Sequence, residues 1–186
     1  MAPDADLLPG GGTLPSATAV QSNVRDSDFS WQLHVQTADV SVGSYGPVLM
    51  IHWESRVTED GLLRASEQSD ALIARYGDVA ALVTCSSFIP MPSPNLLGLC
   101  ARLIRKAVGT QLSVTVVEGG GFWSKTARLS IDSISRLASA PYPVKTASSI
   151  QGAAEMVVAA LGLEHRLADE LARRCNAFVA SVENAA

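Results

Sequence analysis

Trp31-Gln-Leu-His-Val35 alternates apolar and polar residues, which predicts a strand with Trp31, Leu33 and Val35 on the covered face and His34 toward solvent, running on less clearly to Val42. Gly43-Ser-Tyr-Gly-Pro47 reads as a turn, and Val48-Leu-Met-Ile-His-Trp53 is unbroken apolar sequence, as in a strand covered on both faces. Thr58-Glu-Asp then opens a helix. Its hydroxyl caps and its acids suit the positive end of the helix dipole; Leu62, Ser66, Ser69, Ile73 and Tyr76 share a side and Gly77 ends it. Val79 to Cys85 is a second buried strand. Ser93-Pro94 is an N-cap followed by proline at the first helical position, opening an apolar stripe of Leu96, Leu99, Cys100, Leu103, Ile104 and Ala107 that Gly109 closes.

Gln111 to Val117 is the next strand. A helix beginning near Ser124 follows, with Ala127, Ile131, Ile134 and Ala138 at helical spacing until Pro141-Tyr-Pro143 breaks it. Val144 to Ala147 is a short strand, Ser148 or Ser149 caps a helix through Ala153, Met156, Val157 and Leu161, and Gly162 ends that. A last helix spans 165–182, with Leu167, Leu171, Cys175 and Phe178 on one side, free either to pack on its own domain or to join a partner or second copy. Alternation of this kind predicts a single small α/β domain with a mostly parallel or mixed sheet of four or five strands flanked by helices, plus the extra C-terminal helix. We divide the chain into a disordered tail rich in Pro, Gly, Ser, Asp and Ala (1–28), the α/β domain (29–162) and the C-terminal helix (163–186).

Composition narrows the class of function. At 47% hydrophobic and 17% charged, the 186 residues are apolar enough for a core, and a net charge of −4 argues against nucleic acid as a partner. Arg102, Arg105 and Lys106, like Arg173 and Arg174, read as solvated helix faces. The N-terminus carries no basic segment followed by an apolar one, and no stretch reaches the ~20 apolar residues of a membrane span, so a soluble cytoplasmic protein with no membrane insertion is expected. Cys85, Cys100 and Cys175 lie far apart and give neither a disulfide framework nor a zinc site; His34, His52 and His165 are equally dispersed, so no metal and no cofactor is expected.

One stretch approaches a phosphate loop. From Gly119 the chain reads G-G-G-F-W-S-K-T against G-x-x-x-x-G-K-[ST], with Ser124 where the second glycine belongs. Ser124 carries a Cβ that opposes close backbone approach, and Phe122 and Trp123 are bulky for a cradle. Gly119, Gly120, Gly121, Lys125 and Thr126 therefore form at most a weak anion site, and the glycines read better as a tight crossover from strand to helix. Cys85 and His52, both near strand ends where ligands of open α/β sheets bind, are a candidate nucleophile and base. Glu54 and Glu118, at the ends of two strands, are a candidate acid–base pair, with solvated loop acids as the plainer reading; Asp132 stands alone on a helix.

The element order and lengths over roughly 30–162 resemble the STAS domain, the family of anti-sigma-factor antagonists and sulfate-transporter C-terminal domains. The residues that carry the likeness are the strand Val48–Trp53, the strand ending Thr84-Cys85, the helix from Pro94, the strand Gln111–Val117 and the closing Ser-Ser-Ile-Gln-Gly-Ala-Ala helix. The resemblance implies a compact sheet flanked by helices that docks on protein partners under phosphorylation control. Ser93 falls near the family's switch serine and is a candidate phosphosite; Ser93, Asn95, Leu96 and Leu97 are the implied docking residues. The expectation is a non-enzymatic regulatory or scaffolding module with a protein partner or a second copy of itself. The alternative is a small-molecule or nucleotide binder, or an enzyme, using the strand-end crevice near Cys85, Ser93 and Gly119–Gly121.

Overall fold

The structure is a computed structural model that describes residues 29–86, 89–119 and 122–184. The tail 1–28 and the glycines Gly120 and Gly121 lie outside them. Six strands form one mixed sheet in sequence order: β1 (Trp31–Gln36), β2 (Val40–Tyr45), β3 (Val48–Trp53), β4 (Val79–Cys85), β5 (Thr110–Val116) and β6 (Val144–Ala147). β1, β2 and β3 pair antiparallel, and β3 to β6 pair parallel. The α/β class with flanking helices is as the sequence implies, with a strand more than the periodicity resolves. The stretch 31–45 folds back on itself because Thr37 closes a turn: its hydroxyl accepts from the amides of Asp39 and Val40 and donates to the Val40 carbonyl. The next hairpin needs only Gly46 and Pro47 between Tyr45 and Val48, with Gly46 at φ +57°.

A bulge between Leu33 and Val35 corrects the expected facing of β1. Trp31 packs on one side of the sheet, where its ring sits 5.0 Å from that of Phe178, while Val35 packs on the other. Leu33 is left 50% exposed. His34, expected toward solvent, is half-buried, and its Nε2 lies 2.8 Å from the Ser44 hydroxyl. Strict alternation fails here because the extra residue shifts the phase of every side chain after it.

Three helices join the parallel strands: α1 (Glu59–Tyr76), α2 (Pro94–Lys106) and α3 (Phe122–Ala138). Strands laid down in order in one direction, each reached by a right-handed crossover, place all three helices on the same face. Both ends of α1 and the start of α2 are those predicted, whereas α2 ends at Lys106 with Ala107 as its C-cap, short of Gly109, and α3 starts at Phe122, ahead of Ser124. Thr58 accepts from Gly61 N, Ser93 accepts from Leu96 N with Pro94 first in its helix, and Gly77 ends α1 at φ +79°. After β6 the chain crosses to the opposite face as α4 (Ile150–Ala160), capped by Ser149, and α5 (Leu167–Glu183). α5 packs on α4 and β2 of its own domain, burying Leu171, Cys175, Phe178 and Val182.

The two faces are filled unequally. Met50, Leu82, Leu112 and Val114 of the sheet join Ala153, Ala154, Val157 and Phe178 in one large core under α4 and α5. On the other face a smaller core of Val40, Val42, Leu49, Trp53, Ala65 and Leu72 holds α1 against β2 and β3, and among the described side chains none of α2 or α3 belongs to it. α2 packs chiefly on α1 and α3, with scarcely any approach to a strand.

Candidate functional site

Below α2 and α3 the sheet presents Ala81 and Val83 of β4 beside their register partners Ser113 and Thr115 of β5. These side chains are short, and so are Cys100 and Ala107 of α2 above them. Short side chains on both surfaces leave a gap unless the helix sinks toward the sheet, and α2 stands off it. The result is a cavity of about 690 Å³ between the sheet and α1–α3, walled also by Ile104, Ile131 and Ile134. Its lining is mostly apolar, and it continues over the carboxyl ends of β3 and β4 to His52, Ser86, Val179 and Glu183.

The polar end is built by strand alternation. His52 and Thr84 are register partners on β3 and β4, and both point toward α5. The Thr84 hydroxyl donates to the Ile51 carbonyl at 3.4 Å, so it accepts from His52 Nδ1 at 2.9 Å. That assigns the proton to Nδ1 and leaves Nε2 to accept from the Ser86 hydroxyl at 3.2 Å. His52 is 1% exposed. Burial lowers its pKa, against the opposing pull of Glu183, so the ring is neutral at physiological pH. Its 3.8 Å approach to Glu54 Oε2 is therefore not an ion pair. Burial, and secondly the Glu183 charge, raises the Glu54 carboxyl above its usual range. Glu54 Oε1 is buried with no hydrogen-bond partner among the described residues.

The candidates from the sequence are distributed as follows. Cys85 pairs in register with Trp53, one residue out of phase with the His52–Thr84 pair, so Cys85 and His52 project to opposite faces and form no nucleophile–base pair. Cys85 reaches solvent through the cavity, yet the crowding around it pushes the thiol up to about 11, the wrong direction for a thiolate. Glu54 and Glu118 follow β3 and β5 with β4 between them, roughly 10 Å apart across two strand spacings. The carboxylate that acts on Glu54 is Glu183, from the end of α5. Sequence reasoning missed Glu183, Thr84 and Ser86, since only the turn of the chain to the opposite face brings α5 to the end of β3.

Ser93 and Asn95 are exposed at the start of α2, Leu96 and Leu97 half-buried; Met91 and Pro92, just before them, line the cavity. Gly119, at φ +80°, lines it too. α3 begins at Phe122, ahead of Ser124, so Lys125 and Thr126 lie in its first turns, Lys125 exposed and Thr126 half-buried. His165 is exposed before α5 and Asp132 exposed on α3. No group of side chains among the described residues is arranged to hold a metal ion, and no described helix is long and apolar enough to cross a membrane. Compared with known proteins, the chain matches no family model, no curated protein and no solved structure.

Proposed function

We propose that the protein binds an apolar small molecule between its sheet and α1–α3. The supporting observation is the cavity itself: about 690 Å³ and mostly apolar, with hydroxyls such as those of Ser66, Ser113 and Ser130 along its wall and His52, Ser86 and Glu183 at its strand-end mouth. That volume lies within the range of small-molecule sites, and the polar end falls at the carboxyl ends of parallel strands, where open α/β sheets bind ligands. This is the strand-end alternative that the sequence offers around Cys85. The regulatory docking reading keeps one favouring observation. Ser93 and Asn95 are exposed beside Met91 and Pro92 at the cavity wall, so a phosphate or a partner at the start of α2 acts next to the ligand. Titration with the fluorescent probe N-phenyl-1-naphthylamine tests the proposal. Saturable one-to-one uptake, lost in Ser113→Phe, is expected; no uptake by folded wild type overturns it.

A further inference from the structure

The wall that β5 gives the cavity carries a row of hydroxyls. Thr110, Ser113 and Thr115 all line it, and at ~3.3 Å per residue they spread over roughly 16 Å along the strand. Ser66 joins them from α1. None of these four hydroxyls has a hydrogen-bond partner among the described residues. Elsewhere the protein pairs buried polar side chains with one another: Ser44 meets His34, and Thr84 meets His52. Ser41 lacks a partner too, but its hydroxyl is sealed inside the protein, whereas the four are not sealed and open onto the cavity. Thr110 is only 8% exposed and still keeps its hydroxyl open. Ser130 adds an acceptor, because its proton goes to the Thr126 carbonyl and its lone pairs are left for the cavity. Tyr142 lines the wall two residues before Val144, the register partner of Ser113. Burial pushes its phenol up to about 12, so it keeps a proton to donate.

Charge is confined to the mouth. Among the described lining residues only Glu118 and Glu183 are acidic, both exposed at the strand ends, and none is lysine or arginine. The Arg128 guanidinium stands behind the wall, where it donates to the Val117 carbonyl at 3.2 Å, and its unpartnered Nε is sealed inside the protein. A charged group drawn between sheet and helices would lose its hydration and meet no opposite charge there. An uncharged oxygen would meet donors and acceptors without a partner of their own. Their spread along β5 suits a molecule with several oxygens better than an amphiphile with a single head.

We infer that the ligand is an uncharged apolar molecule that carries hydroxyl or carbonyl oxygens along its length rather than at one end. Thr110 receives an oxygen at the amino end of β5, and Ser113 and Thr115 receive those further along. This rests on the reading of the cavity as a binding site and names the chemistry of its occupant. Hydroxyls that both donate and accept serve alcohols and ketones alike.

The test is competition of 1-decanol, 1,10-decanediol and decanoate against N-phenyl-1-naphthylamine at neutral pH. A chain with one hydroxyl can keep it at the mouth, whereas the diol must bury its second. In an interior without partners that burial weakens the diol about tenfold or more against decanol. The expected result is a diol within about threefold of decanol, with decanoate the weakest of the three. In the double variant Thr110→Val with Ser113→Ala the diol falls about tenfold relative to decanol, while circular-dichroism melts near wild type show that the variant is folded. A diol at least tenfold weaker than decanol in wild type means that the hydroxyls hold only water. That result, a ratio unchanged in the double variant, or a series led by decanoate overturns the assignment while leaving the cavity reading standing. A wild-type protein that takes up no probe removes both.

Discussion

Ala80 and Ala81 are neighbours on β4, and the chain treats them in opposite ways. Ala80 is 0% exposed and belongs to the core under α4 and α5, with Leu82, Leu112, Val114 and Phe178. Ala81 meets the cavity, with Val83, Ser113 and Thr115. The same strands therefore support a filled layer on one side and a gap on the other. A layer at native packing density resists both enlargement and truncation, because every atom has neighbours. A face with space above it forgoes that stabilisation and gains room for a ligand. Stability is concentrated on the α4–α5 side, and recognition on the α1–α3 side.

Truncation separates the faces most strongly. Phe178 is 3% exposed and packs against Trp31 and His52. Phe178→Ala is expected to cost about 3–5 kcal/mol in urea unfolding, the usual range for a buried aromatic. Ile131→Ala, at the cavity wall, is expected to cost less than about 1.5 kcal/mol, since part of its surface touches no protein atom. Similar losses at both positions would erase the distinction.

A smaller effect tests how closely the filled side is fitted. The Trp31 ring lies over Gly43, and a Cβ built there meets the ring at 2.3 Å. Trp31 cannot retreat without disturbing Phe178. Gly43→Ala should cost about 1–3 kcal/mol by overpacking, read as a lower urea midpoint with unchanged slope.

The part of this architecture that local pattern carries was legible in the sequence. The caps Thr58, Ser93 and Ser149, the stop at Gly77 and the helix after each parallel strand all follow from local chemistry. The alternation in Gln111-Leu-Ser-Val-Thr-Val also holds the asymmetry, since Leu112 and Val114 enter the core while Ser113 and Thr115 face the cavity. The β1 bulge was not legible, because one extra residue inverts the phase of everything after it without marking itself. Nor was the polar end of the cavity: His52 and Glu183, which both line it, are 131 positions apart (183 less 52), and nothing short of the tertiary fold brings them together.

The least effect is expected from His52, at that polar end, and Glu54 beside it. The fold raises the pKa of Glu54, so it favours the protonated carboxyl; this stabilisation is complete below the ordinary 4.5 and is lost as pH rises through the raised value. The fold lowers that of His52, favouring the neutral ring; this contribution is complete above the ordinary 6.5 and is lost as pH falls through the lowered value. Glu54→Gln should therefore melt slightly above wild type at neutral pH, the two converging as pH falls toward 4.5. A variant that melts lower at neutral pH would mean that the ionised carboxylate stabilises the unliganded protein.

The asymmetry itself is tested most directly by probe titration of Ala81→Ile beside Ala80→Ile, with urea unfolding of each. The account predicts that Ala81→Ile unfolds as wild type, or slightly later, and takes up the probe weakly because its cavity is partly filled. Ala80→Ile should lose about 1–3 kcal/mol by overpacking and, where folded, bind the probe as wild type does. The reverse result, a destabilised Ala81→Ile with intact probe binding beside a tolerated Ala80→Ile, would contradict it.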